Sequence, residues 1–188
     1  GKSTTLYAML MELRRQRINI LTVEDPVEFH IAEIQQMQVN RAAGFTFASA
    51  MRNFLRHDPD VIMVGEIRDR ETAEIAVESA LTGHLVLSTL HTNTAATTVT
   101  RLLDLGVEPF LLRASLLAVM SQRLVRLTCA HCREVEPVDA HMREHLGVGL
   151  EEVFHIGRGC ARCEGLGVHK RQAVYELFVV TPAIQKLI

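Results

Sequence analysis

Several stretches of this chain carry residues whose types and spacing could do chemistry. Asp58-Pro-Asp-Val-Ile-Met-Val-Gly-Glu-Ile-Arg-Asp69 is centred on an apolar run, Val61 to Val64, of the kind expected for a strand buried on both faces of a parallel sheet. Ligands of open α/β sheets sit outside the carboxyl ends of the strands. That rule separates the acids. Asp58 and Asp60 enter the strand, whereas Glu66 leaves it on the ligand side beside a glycine, placed to orient or deprotonate a water. The same Glu66 also fits the plainer role of capping the next helix. Gly1-Lys2-Ser3-Thr4 opens an apolar helix and reads as the second half of a P-loop. In such a loop amides and the helix N-terminus bind phosphate, the Lys meets the β/γ-phosphates, and the Ser hydroxyl holds Mg²⁺. A short match of this kind also arises by chance. Its front half, with the strand before it, is expected to be cut away, which would leave an exposed sheet edge.

Further acids leave a second apolar run. Ile18 to Val23 ends in Glu24-Asp25-Pro26-Val27-Glu28, which is either an acidic turn or a set of carboxylates supporting Mg²⁺-bound or attacking water. His91, with Thr89 and Asn93, arrives at the carboxyl end of a third run, Leu85 to Ser88. All four cysteines fall in two C-x-x-C pairs, Cys129/Cys132 and Cys160/Cys163. Two such knuckles around an insert point to a closed, structural Cys₄ zinc site. The alternatives are four reduced buried thiols or a redox pair, though neither pair follows a βα unit. Arg52 and Arg56, four apart on an expected helix, are either solvated or an arginine finger.

The elements that must position these groups follow in order. Helices are expected after Gly1, from Thr46 to His57, from Asp69 or Thr72 to Gly83, from Thr92-Asn93-Thr94 to Leu105, and from Pro109 through an apolar segment reaching Leu127. Phe29 to Asn40 reads as a hairpin-like excursion, and Asp139 to Leu146 as a helix between the cysteine pairs. Ala173 to Val180 reads as a returning strand before a last helix at Thr181-Pro182. Of the 188 residues, 48% are hydrophobic and 22% charged, the balance of a globular protein with a sizeable core. A net charge of −2, no Trp and few aromatics argue against a nucleic-acid binder. No apolar run reaches the roughly 18 residues of a membrane span, and no secretory signal is visible in a sequence that opens on Gly.

Together these motifs resemble the secretion-system ATPase superfamily, in its type II secretion and type IV pilus-assembly branch, over nearly the whole length. Gly1 to Tyr7 resembles the end of Walker A, Thr22 to Glu28 the Asp box, Asp58 to Asp69 the atypical Walker B, and Thr82 to Asn93 the His box. The tetracysteine insert resembles that of secretion and pilus-extension motors. The family often has Gly-Arg where this chain has Lys170-Arg171, and a Gln or an acid where it has His57. The resemblance implies a RecA-like P-loop core over 1–127, a zinc subdomain over 128–170, and a return strand leading into C-terminal helices over 171–188. It implies ATP, Mg²⁺ and Zn²⁺ as cofactors. Gly1, Lys2, Ser3 and Thr4 would bind nucleotide, and Glu66 would be the catalytic carboxylate. Glu24 and Glu28 would support metal and water, and His91 would sense the γ-phosphate. It further implies a homo-hexameric motor in the bacterial cytoplasm, peripheral at the inner membrane, acting on a platform protein, and inactive when cut within Walker A. The competing expectations are a DNA translocase on the same core and a non-catalytic zinc-stabilised scaffold.

Overall fold

The computed structural model describes residues 1–188, and the chain divides into two compact units, residues 1–122 with 175–188, and residues 123–174. The first unit is an α/β layer structure. Its strands β1 (Ile20–Glu24), β2 (Gln35–Gln38), β3 (Val61–Val64) and β4 (Leu85–Ser88) form a parallel sheet in the order β2-β1-β3-β4. The two central strands are buried at every position, which accounts for their unbroken apolar runs.

Side chains alternate across the sheet, so each strand feeds two cores. Leu21, Val23, Ile62 and Val64 pack on one face against α2 (Phe47–Phe54), α3 (Arg70–Leu81), α4 (Thr97–Asp104) and α5 (Pro109–Ser115). Ile20, Val61 and Met63 face the other way onto α1 (Lys2–Arg14), through Tyr7 and Leu10. Local chemistry starts the helices where the sequence places them. Thr46 and Ser49 form a reciprocal capping box ahead of α2, whose Phe47, Ala50, Met51 and Phe54 turn inward together. Asp69 caps α3 by accepting the Thr72 N–H at 2.8 Å.

Three local expectations are corrected. Residues 29–40 are no hairpin: β2 pairs parallel with β1, with Leu21 opposite Gln35. The apolar segment from Pro109 is helical only to Ser115 and continues as strand β5 (Ala118–Thr128). Its β-branched Val119, Val125 and Thr128 suit that conformation, and β5 finds its partner in the distant β8 (Val168–Val179). Finally, α4 starts at Thr97 rather than at residues 92–94, with Thr94 Oγ1 accepting the Thr97 N–H at 3.2 Å.

In the second unit β6 (Arg133–Glu136) pairs antiparallel with β7 (Phe154–Gly157), flanking α6 (Ala140–Leu146). Asp139 caps α6 and Gly147 closes it in the left-handed conformation. Arg143 donates to the carbonyls of Val138, Gly149 and Glu152 and lies over the Phe154 ring. Between residues 123 and 174 the buried hydrophobic side chains are Cys129 and Cys163 alone. The chain enters and leaves this unit within β5 and β8, and a short helix, α7 (Pro182–Gln185), follows β8. No helix is long and apolar enough to cross a membrane.

Candidate functional site

Parallel pairing decides which residues meet. Val23, Val64 and Ser88 stand in register across β1, β3 and β4, so the residues that follow emerge at one rim. Glu24 ends β1, Gly65-Glu66 follows β3, and Thr89 to His91 follow β4. The Gly65 N–H donates to Val23 O at 2.8 Å, and Thr89 Oγ1 donates to Gly65 O at 2.8 Å, which ties the three exits together. The start of α1 lies over the same rim. A cleft of about 220 Å³ opens there, lined among others by Lys2, Ser3, Glu24, Glu28, Glu66 and His91.

Across the cleft runs a chain of polar contacts. Lys2 Nζ lies 3.5 Å from His91 Nδ1, and His91 Nε2 lies 3.4 Å from Glu66 Oε2. A lysine ammonium can only donate, so Nδ1 is the acceptor and Nε2 carries the proton toward Glu66. Both distances are at the long end for a hydrogen bond. Arg68 Nε makes a closer ion pair with Glu66 Oε2, at 2.5 Å. Glu66 is largely buried, with its side chain 12% exposed, whereas Arg68 and His91 reach into solvent. Ser3 is half-buried at the first turn of α1, and Gly1, Lys2 and Thr4 are exposed around it.

Glu24 and Glu28, read alike from sequence, part company. Glu24 is buried, with one carboxylate oxygen accepting from Thr22 Oγ1 at 2.6 Å and Gln36 Nε2 at 3.1 Å, and the other closely from the Tyr7 hydroxyl. Glu28 is exposed at the mouth of the cleft, as is Asp25, whose carboxylate pairs with Arg41 at 2.8 Å. Burial, and then the bond to Glu24, push the Tyr7 hydroxyl up to about 12, so it remains a donor at neutral pH. Tyr7 and Arg68 were not singled out from the motif pattern as functional. Tyr7 sits where a helix would bury any aromatic, and Arg68 resembles an ordinary surface charge until its partner is seen. Arg52 and Arg56 do not share a helix face, because α2 ends at Phe54. Arg52 is instead paired with Glu71 at 2.6 Å.

The sulfur atoms of Cys129, Cys132, Cys160 and Cys163 all lie within 4.8 Å of one another. A tetrahedron of zinc–sulfur bonds of about 2.3 Å has edges of about 3.8 Å. Three measured edges are 3.9, 3.8 and 3.7 Å. The N–H of Gly159 points at Cys132 Sγ, and those of Cys160 and Gly167 point at Cys163 Sγ, all at 3.2–3.3 Å. Burial pushes the Cys163 thiol up, but the Cys160 and Gly167 amides, together with the neighbouring thiols of Cys160 and Cys132, outweigh it and lower the group toward the thiolate. Sulfurs so spaced and so hydrogen-bonded fit a thiolate-bound metal.

Residues 1–188 match the sequence pattern of the family described as type II/IV secretion system protein. The chain belongs to that family. It is 53% identical over 190 residues to the type II secretion system ATPase E of Vibrio cholerae, and 52% identical over 193 residues to the type IV pilus assembly ATPase PilB of Thermus thermophilus. In each case all of this chain is covered, but it spans only 38% and 22% of the relative's length. Among solved structures, the pilus retraction motor PilT with bound ADP superposes with a TM-score of 0.71 at 32% identity, covering this whole chain and 46% of that one. The expected α/β fold is therefore that of the secretion and pilus motors, and the family assignment read from the motifs holds.

Proposed function

We propose that this chain is the nucleotide-hydrolysing core of a motor subunit that powers type II protein secretion or type IV pilus assembly. One observation carries the reading: a lysine at a helix start, a buried carboxylate and a histidine meet in one cleft at the carboxyl rim of a parallel sheet. Gly1 to Thr4 present backbone amides and the α1 N-terminus to phosphate, and Lys2 supplies its ammonium to the β/γ-phosphates. Ser3 is the hydroxyl that would hold Mg²⁺, which neutralises phosphate charge when bound. Glu66, held from below by the Gly65 backbone bonds, aligns the attacking water. His91 spans Lys2 and Glu66, so a γ-phosphate that draws Lys2 away changes the partners of the catalytic carboxylate. Catalysis on this plan is positioning plus electrostatics.

Support for the motor role comes from the relatives, one an ATPase of type II secretion and one of pilus assembly, and from the bound ADP of the retraction motor. By the same kinship the working form is a hexameric ring, peripheral at the cytoplasmic face of the inner membrane and engaging a platform protein. The four cysteines would hold a Zn²⁺ with a structural role, closed by four thiolates and taking no part in the reaction. The chain spans only part of the length of these relatives, so the activity is proposed for a full-length protein of their kind.

Steady-state hydrolysis of ATP by that protein, wild type against Glu66→Gln, tests the reading with and without DNA. The expected result is a fall of about 100-fold or more in kcat, as for loss of a group acting in the transition state, with no response to DNA. Equal rates in the two proteins would reduce Glu66 to a structural residue. Strong stimulation by DNA would make the chain a translocase instead.

A further inference from the structure

Tyr7 is the one side chain that ties the helix carrying Lys2 and Ser3 to the acidic loop after β1. It lies little more than a turn along α1, is 2% exposed, and makes two bonds with a single hydroxyl. The proton goes to Glu24 Oε2, at the loop's start, and the oxygen accepts the backbone N–H of Glu28 at 3.1 Å, at its end. The Phe29 ring packs edge-on against the Tyr7 ring, with centroids 4.4 Å apart and planes at 83°. Loop residues 24–28 are thus gripped at both ends from α1.

The inward carboxylate of Glu24 is already occupied. A carboxylate offers about four acceptor sites, and Thr22, Gln36 and Tyr7 take three of them in a buried setting. Its work is to anchor the loop. Glu28, exposed at the cleft and bonded to Tyr7 through its backbone, is the carboxylate free to face the metal's waters. Resting on the ATPase reading above, we infer that Tyr7 is a positioning residue: it sets the distance between the phosphate-binding end of α1 and the Glu28 carboxylate, with Glu24 as its anchor. Phe at this position would keep the ring and its contact with Phe29 but leave a buried carboxylate oxygen and an N–H without their partner, and such groups move to find others.

The test uses the full-length protein and compares wild type, Tyr7→Phe, Glu28→Ala, the double variant and Glu66→Gln. Misplacement of a reacting group by about 1 Å can cost about 100-fold in rate. Tyr7→Phe is expected to lower kcat by about 10- to 100-fold and to raise the half-saturating Mg²⁺ concentration, with ADP binding within about twofold of wild type. The cycle separates positioning from mere stability, since a residue acting through Glu28 adds little once Glu28 is gone. If Tyr7→Phe and Glu28→Ala lose rate multiplicatively, or if Tyr7→Phe turns over like wild type while Glu66→Gln is dead, the Tyr7 proposal fails alone. If Glu66→Gln turns over like wild type, the ATPase reading falls and Tyr7's role falls with it. Should Tyr7→Phe not fold, Phe29→Ala, a change at a half-exposed ring, takes its place with a smaller loss that must also vanish in the Glu28→Ala background.

Discussion

Removing the metal from the four cysteines should unfold residues 123–174 and leave the α/β unit standing. Ordering a residue costs roughly 1–2 kcal/mol of backbone entropy, and a fully buried large apolar side chain returns about 1.5–3 kcal/mol. In the α/β unit both faces of β1 and β3 supply such side chains. In residues 123–174 the only buried hydrophobic groups are Cys129 and Cys163, themselves part of the sulfur cluster, while Val135, Leu146, Leu150, Val153 and Leu166 are half exposed or more. Apolar burial contributes little there, so metal binding, worth about 10–16 kcal/mol for structural zinc at neutral pH, is the contribution whose loss should let this unit unfold. Amide hydrogen exchange on full-length protein, before and after a strong chelator, reads this directly. Amides of β6 and β7 should lose their protection by about 1,000-fold or more, those of β1 and β3 should keep theirs, and one zinc per chain should be released. A metal-free protein that still protects the β6–β7 amides, or a purified protein without stoichiometric zinc, would refute the reasoning.

Two further outcomes follow from single residues. The Tyr7 hydroxyl is raised from 10 to about 12 in the folded state, so its stabilisation is complete below pH 10 and is lost as pH rises through 10 to 12. At about 1.4 kcal/mol per unit this amounts to roughly 2–3 kcal/mol. Denaturant titrations across that window should show a steeper alkaline loss in wild type than in Tyr7→Phe, and parallel curves would contradict the buried bond. Lys170 holds φ at +68° within β8, a left-handed conformation costing a non-glycine residue about 1–2 kcal/mol. Gly loses about 0.5–1 kcal/mol of chain entropy in exchange. Lys170→Gly should therefore raise stability by up to about 1 kcal/mol in urea unfolding, and a loss would mean that the Lys170 side chain contributes more than its backbone costs.

The left-handed backbone at Lys170 also suits the glycine that the resemblance leads one to expect there. Much else was legible in the same way. The apolar runs of β1 and β3 announced strands buried on both faces, and Thr46 and Asp69 announced their helices, because capping is chemistry between residues a few positions apart. The cysteine spacing announced the cluster of four sulfurs. Residues 29–40 and 116–128 are not legible in this way, because short apolar or amphipathic runs fit several conformations, and only pairing with β1 and β8 selects among them.

The sequence by itself thus determined the family, most of the helices and buried strands, and the residue types at the rim of the sheet, since these rest on short-range pattern. Tertiary structure alone decided which of the acids is buried and which faces the cleft. Glu24 and Glu28 leave the same strand four residues apart, yet one is buried under Thr22, Gln36 and Tyr7 and the other faces the cleft. It likewise decided that Arg68 and His91 share Glu66, and that Arg52 is already paired with Glu71. Each of these depends on which strands are neighbours and in what register. Those are long-range contacts set by packing of the whole sheet, and no spacing along the chain encodes them.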